Sequence, residues 1–388
     1  MIYVVFHLHA YQPPTQPKSV INEILVESYD PVIRAVEENP RIFLSLDISK
    51  SLGEKLPPSF LLRIKTLYER KRIALVNTAA CHYLLPLCPG WVIKRQLELN
   101  RCFYSEELIR NDELTGVFLP ELAFSTKLVQ TIQAAGFKWV LADDVPFIWK
   151  RSKLPAAFQA PQNWVVWIRG CRILLRSGLW SEKIAQGQYQ NGGEFANAML
   201  EEHKRWRFAC NNIQDSYVIL AVDFETFGHH HKRAIGNFLI PFFETITEFG
   251  RECKPVSLAA VVNRFPAVPA YVPAGSWATS EEDLNRGVPF PLWNHPANPF
   301  HQAWNEFMRL VFELAPKNPD PLLQTLLDQS FYSCSPWWAA HEGKDAREIA
   351  GWCLPKFKEI IDLLSLVNNT DRLRELYQNM QDFTKKSP

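Results

Sequence analysis

Net charge is what this sequence most lacks. The 388 residues contain 42 Lys and Arg against 41 Asp and Glu, a formal charge of +1 with a pI near 7.6. That balance removes the electrostatic argument for DNA, RNA or an anionic membrane as a partner. Long apolar runs are missing too, since no stretch approaches the roughly 20 residues of a membrane span. The opening MIYVVFHLHAYQPP has an apolar run of only five residues, with no basic flank and no small-residue cleavage site, so no signal peptide is expected. Cysteine is present without a framework. Cys81, Cys88, Cys102, Cys171, Cys210, Cys253, Cys334 and Cys353 are scattered with no CxxC pair, which indicates neither a zinc site nor a disulfide scaffold and makes a reduced, cytoplasmic setting the expectation. No GxGxxG or GxxxxGKS/T follows any apolar run, so the usual mark of a nucleotide-binding sheet is absent. There is no internal repeat and no low-complexity tract.

What is there is the composition of a globular chain, 47% hydrophobic, 21% charged and 13% aromatic. The length suits two or three average domains, or one barrel of about 250 residues with an appendage. Short β-branched or aromatic runs occur at 2–8 (IYVVFHL), 41–47 (RIFLSLD), 72–78 (RIALVNT), 115–121 (TGVFLPE), 137–144 (FKWVLADD) and 216–225 (SYVILAVDFE). They alternate with segments of helical period, as parallel strands covered by helices on both sides do. In STKLVQTIQAAG, Ser125 reads as an N-cap, Leu128, Val129 and Ile132 share a face, and Gly136 ends the helix. Residues 163–178 read as a hairpin turning at Arg169 and Gly170, an excursion from the βα repeat.

Three prolines within eight positions of RFPAVPAYVPAG, 264–275, favour an extended connector. Beyond it the pattern is helical. Asn298 and Pro299 form a cap-and-first-turn pair, followed by Trp304, Phe307, Met308, Val311 and Phe312 on one face. Further helices are expected near 319–331, 344–365 and 370–384. The expected division is a βα barrel over 1–263, the connector at 264–275, and a helical domain over 276–388 that completes the cleft.

In a βα barrel, functional residues collect at the C-terminal ends of the strands. The runs here end in His7 and His9, in Asn77, Thr78 and His82, in Glu121, in Asp143 and Asp144, and in Asp223 and Glu225. Two-residue alternation puts His7 with His9, and Asp223 with Glu225, on the same side. Pro120 marks a strand terminus because it cannot donate to a sheet, and Glu121 then follows an apolar run, a costly place for a carboxylate without partners. Two acids delivered from separate strands into one mouth suit retaining glycoside hydrolysis. In that chemistry one attacks the anomeric carbon, while the other protonates the departing oxygen and then activates the acceptor. Each residue also has an ordinary reading. A lone acid at a strand end is commonly a cap, a histidine a satisfied core residue, and a tryptophan a packing residue.

HLHAYQPP, RIALVNTAACHYLLPL, GVFLPELAFS and AVDFETFGHH, in this order and spacing, resemble the first four conserved regions of glycoside hydrolase family 57, which acts mainly on α-glucans. Similarity continues in SWATSEEDL, PFPLWNHPANPFHQAW and SFYSCSPWWAA. The resemblance implies an incomplete (β/α)7 TIM-like barrel followed by a C-terminal α-helical domain, a retaining mechanism, Glu121 as nucleophile and Asp223 as acid/base. Activity of the α-amylase or 4-α-glucanotransferase kind follows, on an α-glucan or oligosaccharide, with no cofactor, no metal, no nucleic acid and no membrane. His7, His9, Gln12, His82, Asp143, Glu225 and His229 become candidates for binding sugar or supporting the carboxylates. Trp277 and Trp338 become candidate stacking walls. One departure stands out. The family's first region runs His-Gln-Pro without interruption, whereas here Ala10 and Tyr11 separate His9 from Gln12.

Two other classes compete. A zinc amidohydrolase barrel also begins with HxH, and HHH at 229–231 invites the same thought. Yet between His82 and His229 only His203 occurs, which leaves few residues to complete a ligand set. A non-catalytic carbohydrate-binding relative would keep the barrel without turnover.

Overall fold

The computed structural model describes residues 1–109, 114–151, 162–209 and 215–385. Cys210 lies outside them. The described strands are β1 (Ile2–Ala10), β2 (Leu44–Ile48), β3 (Ile73–Leu75), β4 (Gly116–Phe118), β5 (Trp139–Asp143), β6 (Val165–Ile168), β7 (Cys171–Arg176), β8 (Ser216–Asp223), β9 (Cys253–Pro255) and β10 (Ala267–Pro269).

β1 organises the first sheet. One edge pairs in parallel with β8 from Ile2 to His9; the other takes β9 at Ile2 to Val4 and β2 at His7 to Ala10, with β3 beyond β2. In the second sheet β4, β5 and β7 run parallel, β6 returns antiparallel to β7, and β10 flanks β6. Two seams join the sheets. Asn77 bridges to Val117 between the end of β3 and β4, and Ser177 N donates to Ile219 O at 2.8 Å where β7 meets β8. β1, β2, β3, β4, β5, β7 and β8 therefore form a seven-strand parallel circuit, the incomplete (β/α)7 arrangement. Helices Pro58–Glu69, Gly90–Glu107, Leu128–Ala134 and Gly192–Ala209 lie in the connections.

The hairpin turns where expected, with Arg169 at φ 49° and Gly170 at φ 91°, the two left-handed residues of a type I′ turn. Its role is different from the expected one. Only β6 is an excursion, because the reversal returns β7 to the direction of β5 and makes it a member of the circuit.

Alternation along the strands separates two apolar layers. Val4, Phe6 and Leu8 of β1 face the large helix-packed core. Val5 faces an inner cluster with Phe118, Leu141, Leu174 and Ile219. Period-two geometry carries that inner row onward to His7 and His9, Asp143, Arg176, and Ala221 and Asp223. The barrel interior is thus apolar at one end and charged at the other.

Within the proline-rich segment, β10 is extended beside β6. Gly275 exchanges hydrogen bonds with Phe124, and Trp277 N donates to Glu121 O at 3.1 Å. The chain beyond it is helical at Pro299–Leu314, Pro321–Gln329, Cys334–Ala339, Lys344–Ala350, Leu354–Leu364 and Asp371–Lys385. Asn298 caps the first of these by accepting from Phe300 N and His301 N, and Trp304, Phe307, Met308, Val311 and Phe312 are buried as the pattern required. The expected helix over 344–365 is interrupted by a tight turn at Gly351–Cys353. Among the described residues no helix is long and apolar enough to cross a membrane.

Candidate active site

Three adjacent parallel strands place Asp47, His9 and Asp223 in one register row. Neighbours in such a row point to the same face, so β2, β1 and β8 deliver two acids on either side of an imidazole. Asp47 is fully buried and joins both histidines of β1. His7 Nε2 lies 2.8 Å from its Oδ1, and His9 Nδ1 lies 2.8 Å from its Oδ2. A buried carboxylate needs such partners to remain charged, and Asp47 is held below the usual range: burial opposes ionisation, but the His9 charge and the two ring hydrogen bonds outweigh it. His9 moves the other way. Burial disfavours its cation, yet Asp47, Asp223 and Glu121 together raise it to about 9.

His9 Nε2 lies 2.8 Å from His82 Nε2, and His82 Nδ1 lies 2.7 Å from Ser333 Oγ. Burial and the neighbouring His9 charge keep His82 neutral, well below its ordinary value. Tyr11 stacks on His82 with ring centroids 3.8 Å apart, and Phe118 covers the other side of His9 at 4.4 Å. The two residues that interrupt the first motif thus supply a ring that lids the imidazole pair.

Glu121 sits just past β4 on a short 3-10 turn, with φ 58°; Leu122 has φ 47°, and His82 has φ 54°. Left-handed backbone at non-glycine residues is strained and persists where surrounding contacts fix it. Here the contacts are visible. Ser333 Oγ donates to Glu121 Oε1 at 3.0 Å, and Trp277 Nε1 donates to Oε2 at 2.9 Å. Burial and the Asp223 charge push the Glu121 carboxyl up to about 7, against these two donors and the His9 cation. Asp223 is half-buried at the end of β8. No hydrogen bond reaches its carboxylate among the described residues. Burial raises its proton affinity, opposed by the charges of His9, His230 and Arg176.

The other expected residues divide. Gln12 reaches the site indirectly, Nε2 donating to Glu225 Oε1 at 2.7 Å; Tyr29 OH donates to the same oxygen. The strand alternation that paired Glu225 with Asp223 does not extend to Glu225. β8 ends at Asp223, the chain tightens into a 3-10 turn at Phe224–Thr226, and alternation no longer applies. Its carboxyl is raised to about 7 by burial and then by the Asp223 charge. Asp143 accepts from Arg176 Nη1 at 2.7 Å and from Val145 N at 3.0 Å, while Arg176 Nε donates to Ala221 O at 2.9 Å. The guanidinium, 2% exposed, lies 5.4 Å from the Trp277 ring centroid. His229 turns to Glu27 at 2.6 Å, and of the three consecutive histidines it is His230 whose charge bears on Asp223, after the larger effect of His9. Trp338 is half-buried on helix Cys334–Ala339, against Trp337. Gly228 has φ 103°, and a Cβ there would lie 2.0 Å from Glu27 O, so the turn after the fourth motif admits only glycine.

Both nitrogens of His9 and of His82 are engaged by neighbouring side chains, and of the HxH pair only His7 Nδ1 lacks a partner. Among the described residues the one group of three metal-ligand side chains is Glu23, Glu27 and His229. Asp47, Arg176, Tyr29 and Ser333 were not singled out from the sequence. Asp47 ends the run RIFLSLD and carries the same strand-end signal as Asp143 and Asp223; the others carry none.

Residues 8–272 match the family model of glycosyl hydrolase family 57. The chain belongs to this family. An alpha-amylase from Pyrococcus horikoshii is 25% identical over 150 residues, which is 38% of this chain and 23% of that protein. A 4-alpha-glucanotransferase from Thermococcus kodakarensis is 27% identical over 153 residues, again 38% and 23%. The matched segment is therefore less than a quarter of each relative. Solved structures are similar over far more of the chain. An alpha-amylase from Thermotoga maritima has a TM-score of 0.70 at 14% identity, covering 99% of this chain and 98% of that one. A branching enzyme from Pyrococcus horikoshii has 0.70 at 14%, covering 100% and 97%. At these identities the likeness is one of fold, and it places the family 57 barrel together with the helical segment that follows it.

Proposed function

We propose that this family 57 chain is a retaining glycosidase or transglycosylase for α-linked glucans or oligosaccharides, with Glu121 as nucleophile and Asp223 as general acid and base. The observation that carries the reading is the unequal dressing of the two carboxylates. Glu121 accepts one hydrogen bond on each oxygen, an arrangement that favours its anion and fixes its direction. Asp223 has no such donor among the described residues; burial favours the acid form of both groups, and only at Glu121 do hydrogen bonds oppose it. A group that must attack and a group that must first give a proton need this difference in donors.

In this reading Asp223 protonates the glycosidic oxygen as Glu121 attacks the anomeric carbon, giving a glycosyl ester on Glu121. Asp223, now a carboxylate, takes the proton of a water or sugar hydroxyl that displaces the ester, and two inversions give net retention. Charge on His9 stabilises both carboxylates. Residues 276–388 act as the helical domain that completes the cleft, with Trp277 and Trp338 as walls, and 1–263 as the barrel. The seven described cysteines are free thiols, which supports a reduced, cytoplasmic setting.

The test is incubation with maltooligosaccharides of defined length and product analysis. Longer products mean transfer, and shorter ones alone mean hydrolysis. Absence of both would overturn the reading, and activity lost to a chelator and restored by zinc would replace it with metal chemistry.

A further inference from the structure

Glu121 and Asp47 are joined by an unbroken line of hydrogen bonds. From Asp47 Oδ2 to His9 Nδ1 is 2.8 Å, from His9 Nε2 to His82 Nε2 is 2.8 Å, from His82 Nδ1 to Ser333 Oγ is 2.7 Å, and from Ser333 Oγ to Glu121 Oε1 is 3.0 Å. Each link holds one hydrogen, and the two ends restrict where it can sit. We propose that Ser333 is a positioning residue that closes a proton wire running Asp47, His9, His82, Ser333, Glu121, and that the direction of the wire ties the charge of His9 to the charge of the nucleophile. This rests on the role proposed for Glu121.

An ionised Asp47 only accepts, so His9 carries a proton on Nδ1. One proton lies between the two Nε2 atoms. With that proton on His9, the ring is a cation, and a neutral His82 must carry its own proton on Nδ1. His82 then donates to Ser333 Oγ, and the hydroxyl hydrogen of Ser333 is left to donate to an ionised Glu121. In the reverse direction three bonds break and three form. The proton leaves His9 Nε2 for His82 Nε2, another leaves His82 Nδ1 for Ser333 Oγ, and the serine's own hydrogen leaves Oγ for Glu121 Oε1. His9 becomes neutral, Glu121 becomes an acid, and the net charge of the chain is unchanged. A third arrangement, with the shared proton alone moved to give a His82 cation, would also satisfy every link, but burial and the neighbouring His9 disfavour charge on His82, so with His82 neutral only these two directions remain.

The surroundings favour the first direction. The His9 cation faces Asp47 from β2, Asp223 from β8 and Glu121 itself, whereas His82 is neutral. Trp277 N–H can only donate, so it occupies Oε2 in either state and leaves Oε1 to the wire. His7 donates its Nε2 proton to Asp47, and its unpartnered Nδ1 fits a neutral ring. Tyr11 seals the imidazoles from one side, with Cys334 Sγ 3.4 Å from its hydroxyl. Arg176 and His230 act on Asp223. Since Ser333 follows the barrel by many residues and donates its backbone N–H to His82 O at 3.0 Å, the C-terminal segment sets the ionisation of a nucleophile that the barrel supplies.

Nitrogen-15 NMR of imidazole-labelled, substrate-free protein tests the wire without turnover. At neutral pH, His9 is expected doubly protonated and His82 protonated on Nδ1 alone; a His82 protonated on Nε2 beside a neutral His9 overturns the proposal. Kinetics on the full chain supply the second arm. Ser333→Ala should lower kcat roughly tenfold with KM changed less than about twofold, the size expected for a hydrogen bond to a charged group. It should also move the alkaline limb of the kcat/KM profile to higher pH, because Glu121 then holds its proton more tightly. Ser333→Thr keeps the hydroxyl and should restore both. An unmoved limb in Ser333→Ala, or a threonine as impaired as the alanine in a folded protein, overturns the proposal. A wild-type chain inactive on every α-glucan would instead sink the proposed function, with the NMR arm still deciding the wire.

Discussion

Trp277 and Glu121 are held together twice, by the indole N–H on Oε2 at 2.9 Å and by the backbone N–H of Trp277 on Glu121 O at 3.1 Å. The second bond fixes the tryptophan whatever its side chain does, so its ring and its N–H are separable. Trp277→Phe keeps a ring near Arg176 and removes only the donor. It is expected to lower kcat/KM on maltooligosaccharides roughly tenfold, the scale of one hydrogen bond to a charged acceptor. Trp277→Ala removes the ring beside the guanidinium as well and should lose more. Equal activity of the phenylalanine variant and wild type would show that this bond does not matter to the reaction.

The two carboxylates are expected to respond differently to a small nucleophile. Glu121→Ala and Asp223→Ala should each lose ~10³-fold or more in kcat, in the range for positioned groups that attack or transfer protons. Added azide can take the place of the missing group. With Glu121→Ala it attacks once, from the nucleophile's side, and gives an inverted glycosyl azide. With Asp223→Ala it attacks the glycosyl ester and gives a retained one. Proton NMR of the products distinguishes the two, and a reversed outcome would exchange the assigned roles.

The pH profile follows from the shared proton. Burial and then the Asp223 charge raise Glu121 to about 7, and Asp223 is raised as well, so the two titrate as a pair. The competent form carries one proton between them. That proton leaves as pH rises through about 7, so kcat/KM should be high on the acidic side and fall above neutrality. Asp47→Asn weakens the hold on the His9 cation that opposes Glu121 protonation, and should shift the limb upward. A profile that rises through pH 7 would contradict the shared proton.

The fold was legible because burial on both faces leaves near-continuous apolar runs, and the strands that show them are the ones in the circuit. β7 was visible only as half of a hairpin. Its membership depends on which strand it meets after reversal, and pairing between β5 and β8 leaves no mark on a local pattern. At the site, strand-end acids were readable as far as regular alternation extends. Asp223 met that condition; Glu121 and Glu225 did not, because the backbone turns before reaching either, and Glu121 was readable instead from Pro120 and the apolar run before it. Ser333 and Tyr29 could not be read at all. Their partners lie about 200 residues away in sequence, and a hydroxyl donor has no pattern of its own.

Asp144 offers a prediction about stability that is independent of catalysis. It is buried beside the Asp143 and Arg176 pair, its Oδ1 accepting from Gly178 N at 2.9 Å. Burial and then the Asp143 charge raise it from 3.8 to about 8. Between those values the folded protein binds the proton that the unfolded chain has released, so this group's contribution to stability falls as pH rises from about 4 to about 8 and stays low above that. Asp144→Asn keeps the oxygen that accepts from Gly178 and removes the charge. It should therefore raise Tm at pH 9 and flatten the slope of Tm between pH 4 and 8, leaving stability at pH 4 little changed. One pKa unit corresponds to about 1.4 kcal/mol, so a gain of at least ~1 kcal/mol at pH 9 is expected. Thermal or denaturant unfolding of the two proteins across this range checks it. A variant less stable than wild type at pH 9 would mean that the ionised Asp144 is paired more strongly than its single hydrogen bond indicates.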